Sequence, residues 1–189
     1  MQKPSGFDQA KASLNYEPLT LGGHVCIIKR AEETKSSTGK DMYKVALDIA
    51  PGDPQAGYYQ RKFDNNLRED RKWPCVTYVV ITDDTGNCSR NCAGFVTSVE
   101  ESNPGFAFPW DNAAFLTGKR VGVVFGEEEY VNQKGKIRTS IKPFWFRSAD
   151  KVADAPVPDV KRLSDTPRQM TSARQVNAFA DISADDIPF

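Results

Sequence analysis

The apolar positions of this chain fall into short runs separated by clusters of Gly, Pro, Asn, Asp and Ser. The clearest run has Tyr43, Val45, Leu47 and Ile49 alternating with Lys44, Ala46 and Asp48, a period of two that predicts a strand with one buried face. Before it, Thr20 to Ala31 reads as a strand through Val25, Ile27 and Ile28, reaching Lys29 and Arg30 near its end, and a polar loop follows from Glu32 to Lys40. After it, Pro51, Gly52, Pro54 and Gly57 predict a turn. Tyr58 to Phe63 then reads as a third strand, because aromatic side chains favour pleated backbone.

The apolar run Cys75 to Ile81 fits a strand or a helix. Cys88, Cys92, Phe95, Val96 and Val99 recur at helical spacing up to Asn103-Pro104-Gly105, which predicts an amphipathic helix with both cysteines on its buried side. Phe106, Phe108 and Trp110 alternate through a Pro-containing loop, and Arg120 to Phe125 predicts a fourth strand. Asn132 to Gly135 has hairpin-turn chemistry, and Ile137, Thr139 and Ile141 alternate with Lys136, Arg138, Ser140 and Lys142 in a fifth strand. Of Phe144, Trp145 and Phe146, at least one is expected to face the core. Beyond Arg147 large apolar residues become scarce. The expected organisation is an arm over 1–19, a folded domain over 20–149, a flexible linker over 150–180 and an acidic segment over 181–189.

Composition changes this picture in two places. The chain of 189 residues carries 25 Lys and Arg against 25 Asp and Glu, a net charge of zero. Three of the acids, Asp181, Asp185 and Asp186, lie in the last nine residues, which contain no base. Without them 25 bases face 22 acids, so the body is weakly basic and suited to localised phosphate contacts. The same nine residues end in Ile187, Pro188 and Phe189, with the terminal carboxylate on Phe189. Charge keeps such a segment in solvent while its apolar pair invites a receiving pocket, which is the character of a docking peptide. The cysteines Cys26, Cys75, Cys88 and Cys92 form no paired CxxC, and His24 is the only histidine, so reduced core thiols are expected and no metal or other cofactor. Glu127, Glu128 and Glu129 read as a solvated hairpin flank. Lacking a membrane-length apolar run and a signal-peptide pattern, the chain is expected in the cytoplasm.

Asp185 to Phe189 resembles the acidic C-terminal tip of bacterial single-stranded DNA-binding proteins, which ends in aspartates followed by Ile-Pro-Phe. The body resembles phage-encoded single-stranded DNA-binding proteins, in Lys119 to Arg147 and from Ala93-Gly94-Phe95 to Asn103. The predicted order of three strands, a helix and a closing hairpin is that of an OB-fold, a mainly β, five-stranded, partly open barrel. The resemblance implies sequence-independent binding of single-stranded DNA and recruitment of replication, recombination and repair proteins through Asp185, Asp186, Ile187, Pro188 and Phe189. The core of the cellular bacterial protein is not matched, so a tetramer is not implied and a monomer or dimer is expected.

Single-strand binding needs aromatic faces for bases and cations spaced along phosphates. The candidates are Lys29 and Arg30 on strand one, Lys44 on strand two, Tyr58, Tyr59, Arg61 and Lys62 on strand three, and Lys136, Arg138 and Lys142 on strand five. Trp73 and Trp110 are candidates from loops. The linker is long enough for the acidic segment to reach this groove and compete with DNA there. A rival reading is a protein-binding adaptor of the replication machinery without direct DNA contact; a third is an accessory nuclease or recombination enzyme. No nucleophile and base pair, phosphate-cradling glycine loop or spaced acid dyad supports the enzyme.

Overall fold

A computed structural model describes residues 17–165. The arm through residue 16, the linker beyond 165 and the acidic segment with Asp185 to Phe189 lie outside the described residues. Five strands, β1 (Gly22–Lys35), β2 (Asp41–Ile49), β3 (Val76–Val80), β4 (Arg120–Val131) and β5 (Ile137–Arg147), form one antiparallel sheet in the order β3-β2-β1-β4-β5. Helix α1 (Tyr58–Asp64) joins β2 to β3, and α2 (Arg90–Ser102) lies between β3 and β4.

Strand β1 is shared between two partners. Gly22 to Ile27 pair with β4, whereas Cys26 to Lys35 pair with β2, and a bulge between Ile28 and Arg30 changes the register. An inserted residue bends and twists a strand, so Lys29 is the point at which the sheet curls. The concave side collects Cys26, Ile28, Val45, Leu47, Ile49, Val79, Val121, Val123 and Phe125, all buried.

Helix α2 covers the space between the edge strands β3 and β5. Ser89 caps it by accepting a hydrogen bond from the Cys92 amide at 3.0 Å, and Cys92, Phe95 and Val99 form its buried side. The Phe95 ring meets Phe146 at 4.8 Å and Phe108 at 5.9 Å, and Phe108 meets Tyr43 at 5.5 Å. This aromatic chain links helix, sheet and the loop before β4; each such ring buried is worth about 1.5–3 kcal/mol. Phe146 is the member of the Phe144 to Phe146 run that enters the core.

Two expectations change, and one that the sequence leaves open is decided. Tyr58 to Asp64 is the helix α1, not a strand. Gly57 adopts a left-handed backbone (φ 68°), and the buried Asp48 carboxylate on β2 accepts hydrogen bonds from the amides of Tyr59 (2.9 Å) and Gln60 (3.3 Å), doing the work of a missing side-chain cap. Tertiary anchoring thus overrides the aromatic preference for strand. Cys88 precedes the Ser89 cap and is exposed, while Cys26, Cys75 and Cys92 are buried free thiols. The run Cys75 to Ile81 resolves as the edge strand β3.

Residues 148–163, placed partly in a linker beginning at 150, run back over the sheet. Val152 is buried, and its carbonyl and side chain fill the space where Cβ atoms on Gly23 and Gly122 would sit; Phe144 and Pro158 do the same above Gly126. Further on, the Glu129 amide donates to the Lys161 carbonyl and the Lys161 amide to the Glu127 carbonyl, each at 2.9 Å. No helix among the described residues is long and apolar enough to cross a membrane.

Replacing Asp48 by Ala should lower stability by about 2–3 kcal/mol, since it strands amides that now bond to the Asp48 side chain. Asn, which keeps one acceptor oxygen, should lose less. Urea unfolding midpoints of the two variants check this; equal losses would show that the amide bonds are not what Asp48 contributes.

Candidate nucleic-acid interface

The four-residue turn after β4 fixes the hairpin register. Asn132 accepts hydrogen bonds through Oδ1 from the amides of Lys134 and Lys136, both at 3.0 Å, and Gly135 takes a positive φ of 71°. Tyr130 therefore stands opposite Arg138 and Val131 opposite Ile137, one pair from the turn. Tyr130 is 43% exposed, Val131 55% and Ile137 62%. The projecting tip thus carries an aromatic ring, two aliphatic side chains and the cations Lys134, Lys136 and Arg138, with Lys142 four residues further along β5.

Two of the three acids at the foot of this hairpin, Glu128 and Glu129, are occupied. Glu128 pairs with Lys161, and Glu129 accepts from the Leu163 amide at 3.2 Å, so the returning C-terminal segment neutralises or engages the carboxylates expected to be a solvated flank. Among the described residues Lys134, Lys136, Arg138 and Lys142 have no carboxylate partner. The contrast with β1 and β2 is direct: Arg30 and Lys44 both engage Glu32, Lys44 at 3.5 Å.

The remaining candidates divide by burial. Tyr58 and Tyr59 are core residues; Tyr59 packs 6.1 Å from the Phe125 ring and 5.0 Å from Tyr58, so neither offers a face to a base. Trp73 is also buried. Its indole donates to the Leu47 carbonyl at 2.8 Å, and its ring lies 5.4 Å from Phe63 with the Lys29 ammonium 5.7 Å away. Arg71 covers Phe63 at 4.7 Å. Lys29 and Arg71 are therefore cations held on an aromatic stack, and the stack itself is structural. Arg61 is exposed and donates to the Ala56 carbonyl; Lys62, also exposed, lies on α1, and its charge, like that of Lys142, acts on the Cys75 thiol. Trp110 stays exposed at 56%, its ring 4.9 Å from Phe108.

Sequence reasoning passed over three aromatics. Tyr130 was legible from the hairpin turn, since the turn length places it opposite Arg138. Tyr78 stands opposite Lys44 across the β2–β3 ladder and is half-buried. Phe115, 65% exposed in the short helical turn Ala113–Leu116, sits in a stretch with no periodic signal.

His24 takes no part in this surface. It is buried, with Nδ1 3.1 Å from both Asp53 oxygens and Nε2 3.0 Å from the Thr20 carbonyl, fastening the start of β1 to the turn before α1. Among the described residues no three His, Cys, Asp or Glu side chains are grouped to hold a metal ion.

No family model matches the sequence, and no curated protein matches it.

The thiols report on the packing behind the interface. Burial pushes Cys75 up to about 12, partly offset by a hydrogen bond with Tyr59, and Cys92 up to about 12, helped by its neighbour Cys88; Cys26 is also raised by burial. At pH 8 those three are neutral and inaccessible, and thiolate is the reactive form. A disulfide reagent should modify one equivalent, Cys88, in the native protein and four after denaturation. Rapid native labelling of two or more would contradict this burial pattern.

Proposed function

We propose that the chain binds single-stranded nucleic acid without sequence preference, through an OB-like barrel whose β4–β5 hairpin supplies the principal contacts. The observation that carries the reading is the tip of that hairpin: among the described residues Lys134, Lys136 and Arg138 stand without carboxylate partners beside an exposed Tyr130, while Glu128 and Glu129 are engaged by Lys161 and the Leu163 amide. Cations without partners release counterions when phosphates arrive, and an exposed ring gives a base a surface to stack on. The order β3-β2-β1-β4-β5, with α2 between β3 and β4, supports the barrel: it is the strand order of a five-stranded barrel opened between its edge strands, and α2 lies across that opening.

On this reading the strand runs from the hairpin over the side of the sheet opposite the buried core. Lys142, Lys62 and Lys29 serve the phosphates there, with Tyr78 beside Lys44 as a second stacking position. The expected groove shifts accordingly, from α1 and its tyrosines to the hairpin. Asp185, Asp186, Ile187, Pro188 and Phe189 remain the proposed docking peptide for replication, recombination and repair proteins, and the chain is proposed to act in the cytoplasm as a binding protein and not as an enzyme.

The adaptor reading draws on one observation, the exposed Val131 and Ile137 pair, which would suit a protein partner equally well. Binding measurements separate the two. Single-stranded oligonucleotides titrated from low to moderate salt should give a steep log–log slope, and replacing Lys136 and Arg138 together by Gln should reduce it by about 1.4, at about 0.7 per phosphate contact. Tyr130→Ala should weaken binding by about 1–3 kcal/mol with the slope unchanged. Absence of single-strand binding at low salt would leave the adaptor as the better account.

A further inference from the structure

A recess apart from the hairpin tip lies on the far part of β5. Arg90, Asn91 and Gly94 on the first turns of α2 face Trp145, Phe146 and Arg147 across a cleft of about 400 Å³, within the range of about 300–1,000 Å³ that takes small ligands. Trp145 is seven residues along β5 from Arg138, so at about 3.3 Å per residue the cleft is roughly 20 Å from the hairpin cations.

The cleft joins an apolar floor to a basic rim. Trp145 is half-buried and Phe146 buried, and together they form the floor. No atom lies within 4 Å of the Cβ position on Gly94, so the wall beside them is open. Arg90 and Arg147 are exposed at the rim, and among the described residues neither has a carboxylate partner. Asn91 adds an exposed amide, and none of the lining residues is acidic. The first turn of α2 contributes partial positive charge on the same side.

Two guanidiniums beside a helix start, with no acid among the lining residues, suit a group of more than one negative charge. A phosphodiester inside a strand carries a single charge. A phosphate monoester carries about 1.5 to 2 at neutral pH and offers three acceptor oxygens, which planar guanidiniums bind through paired hydrogen bonds. The floor calls for a flat apolar body within reach of that phosphate, and the base of the same nucleotide supplies it by stacking. We propose that the α2–β5 cleft is a nucleotide site that recognises a terminal phosphate, with the base on Trp145 and the phosphate between Arg90 and Arg147. The 5′-phosphorylated end of a single strand and a free nucleoside 5′-monophosphate present this same chemistry. The assignment rests on the reading of nucleic acid as the ligand and adds end recognition to it, but it uses none of the hairpin residues. A strand engaged at both places runs along β5 with its phosphorylated end anchored at α2.

The indole N–H of Trp145 is the reporter. It is withdrawn from solvent and has no acceptor among the described residues, and its resonance in the isotope-labelled full chain is assigned by its loss in Trp145→Phe. Thymidine 5′-monophosphate should shift this resonance saturably, whereas thymidine and phosphotyrosine should bind about tenfold more weakly, and Arg90→Gln with Arg147→Gln should weaken the monophosphate by about tenfold, as expected for lost charge-assisted contacts. Gly94→Leu, which fills the cleft while favouring the helix, should abolish the shift, and Lys136→Gln with Arg138→Gln should leave it intact; thermal melting confirms that these variants fold. An unshifted Trp145 resonance at millimolar monophosphate, thymidine or phosphotyrosine binding as tightly, or an unchanged response in the double-arginine variant would each overturn the proposal. Thymidine oligonucleotides that differ only in a 5′-phosphate or 5′-hydroxyl identify the source. A phosphate-dependent Trp145 shift assigns the site to strand ends, and a shift with the monophosphate alone assigns it to free nucleotides. If no oligonucleotide binds, the hairpin reading falls while the monophosphate titration still decides the cleft, so the two fail independently.

Discussion

The bend in β1 is the constraint on which the other elements depend. One strand pairs with β4 through its first half and with β2 through its second, sharing only Cys26 and Ile27 between them, and the bulge at Lys29 turns the chain between the two ladders. A straight β1 would hold five strands in a flatter sheet, with no concave side for Ile28, Leu47, Val121 and Phe125 to fill. Because β1 curls, the edge strands β3 and β5 come within reach of one helix. The Phe95 contacts to Phe108 and Phe146 are the packing that results.

From that geometry follows the distribution of charge. The sheet's outer side is crossed by residues 148–163, admitted by Gly23, Gly122 and Gly126, and this segment brings Lys161 to Glu128. Arg30, Lys35 and Lys44 on β1 and β2 answer acids of their own ladder. On the β4–β5 hairpin, Lys134, Lys136, Arg138 and Lys142 stand without carboxylate partners among the described residues. The molecule has a net charge of zero, yet its topology sorts the charges, so that a weakly basic body presents a locally strong basic element.

Much of this was legible in the sequence where one period dominates. The alternation in Tyr43 to Ile49, the stripe from Cys92 to Val99, and the turn at Asn132 to Gly135 each specify an element with little help from the rest of the chain. The failures have a common physical origin in contacts distant along the chain. Tyr58 to Phe63 carries strand-forming side chains but is held as a helix by Asp48, ten residues earlier than Tyr58. Residues 148–163 look like a linker because the glycines that receive them lie on β1 and β4. Tyr58, Tyr59 and Trp73 look like stacking residues by type, and only the fold shows their faces spent on Phe125, Cys75 and Phe63. Tyr130 was the reverse case, a residue whose position could have been counted from the turn.

The central claim is that the hairpin tip meets a nucleic-acid base directly. An oligonucleotide of thymidines carrying photoreactive 5-iodouracil, irradiated with the full chain and mapped by mass spectrometry, tests it most directly. Crosslinks to Tyr130 in first place, with Tyr78 next, are the predicted result. Binding with crosslinks confined to Trp110, Phe115 or the Trp145–Arg147 stretch, and none on the hairpin, would contradict it.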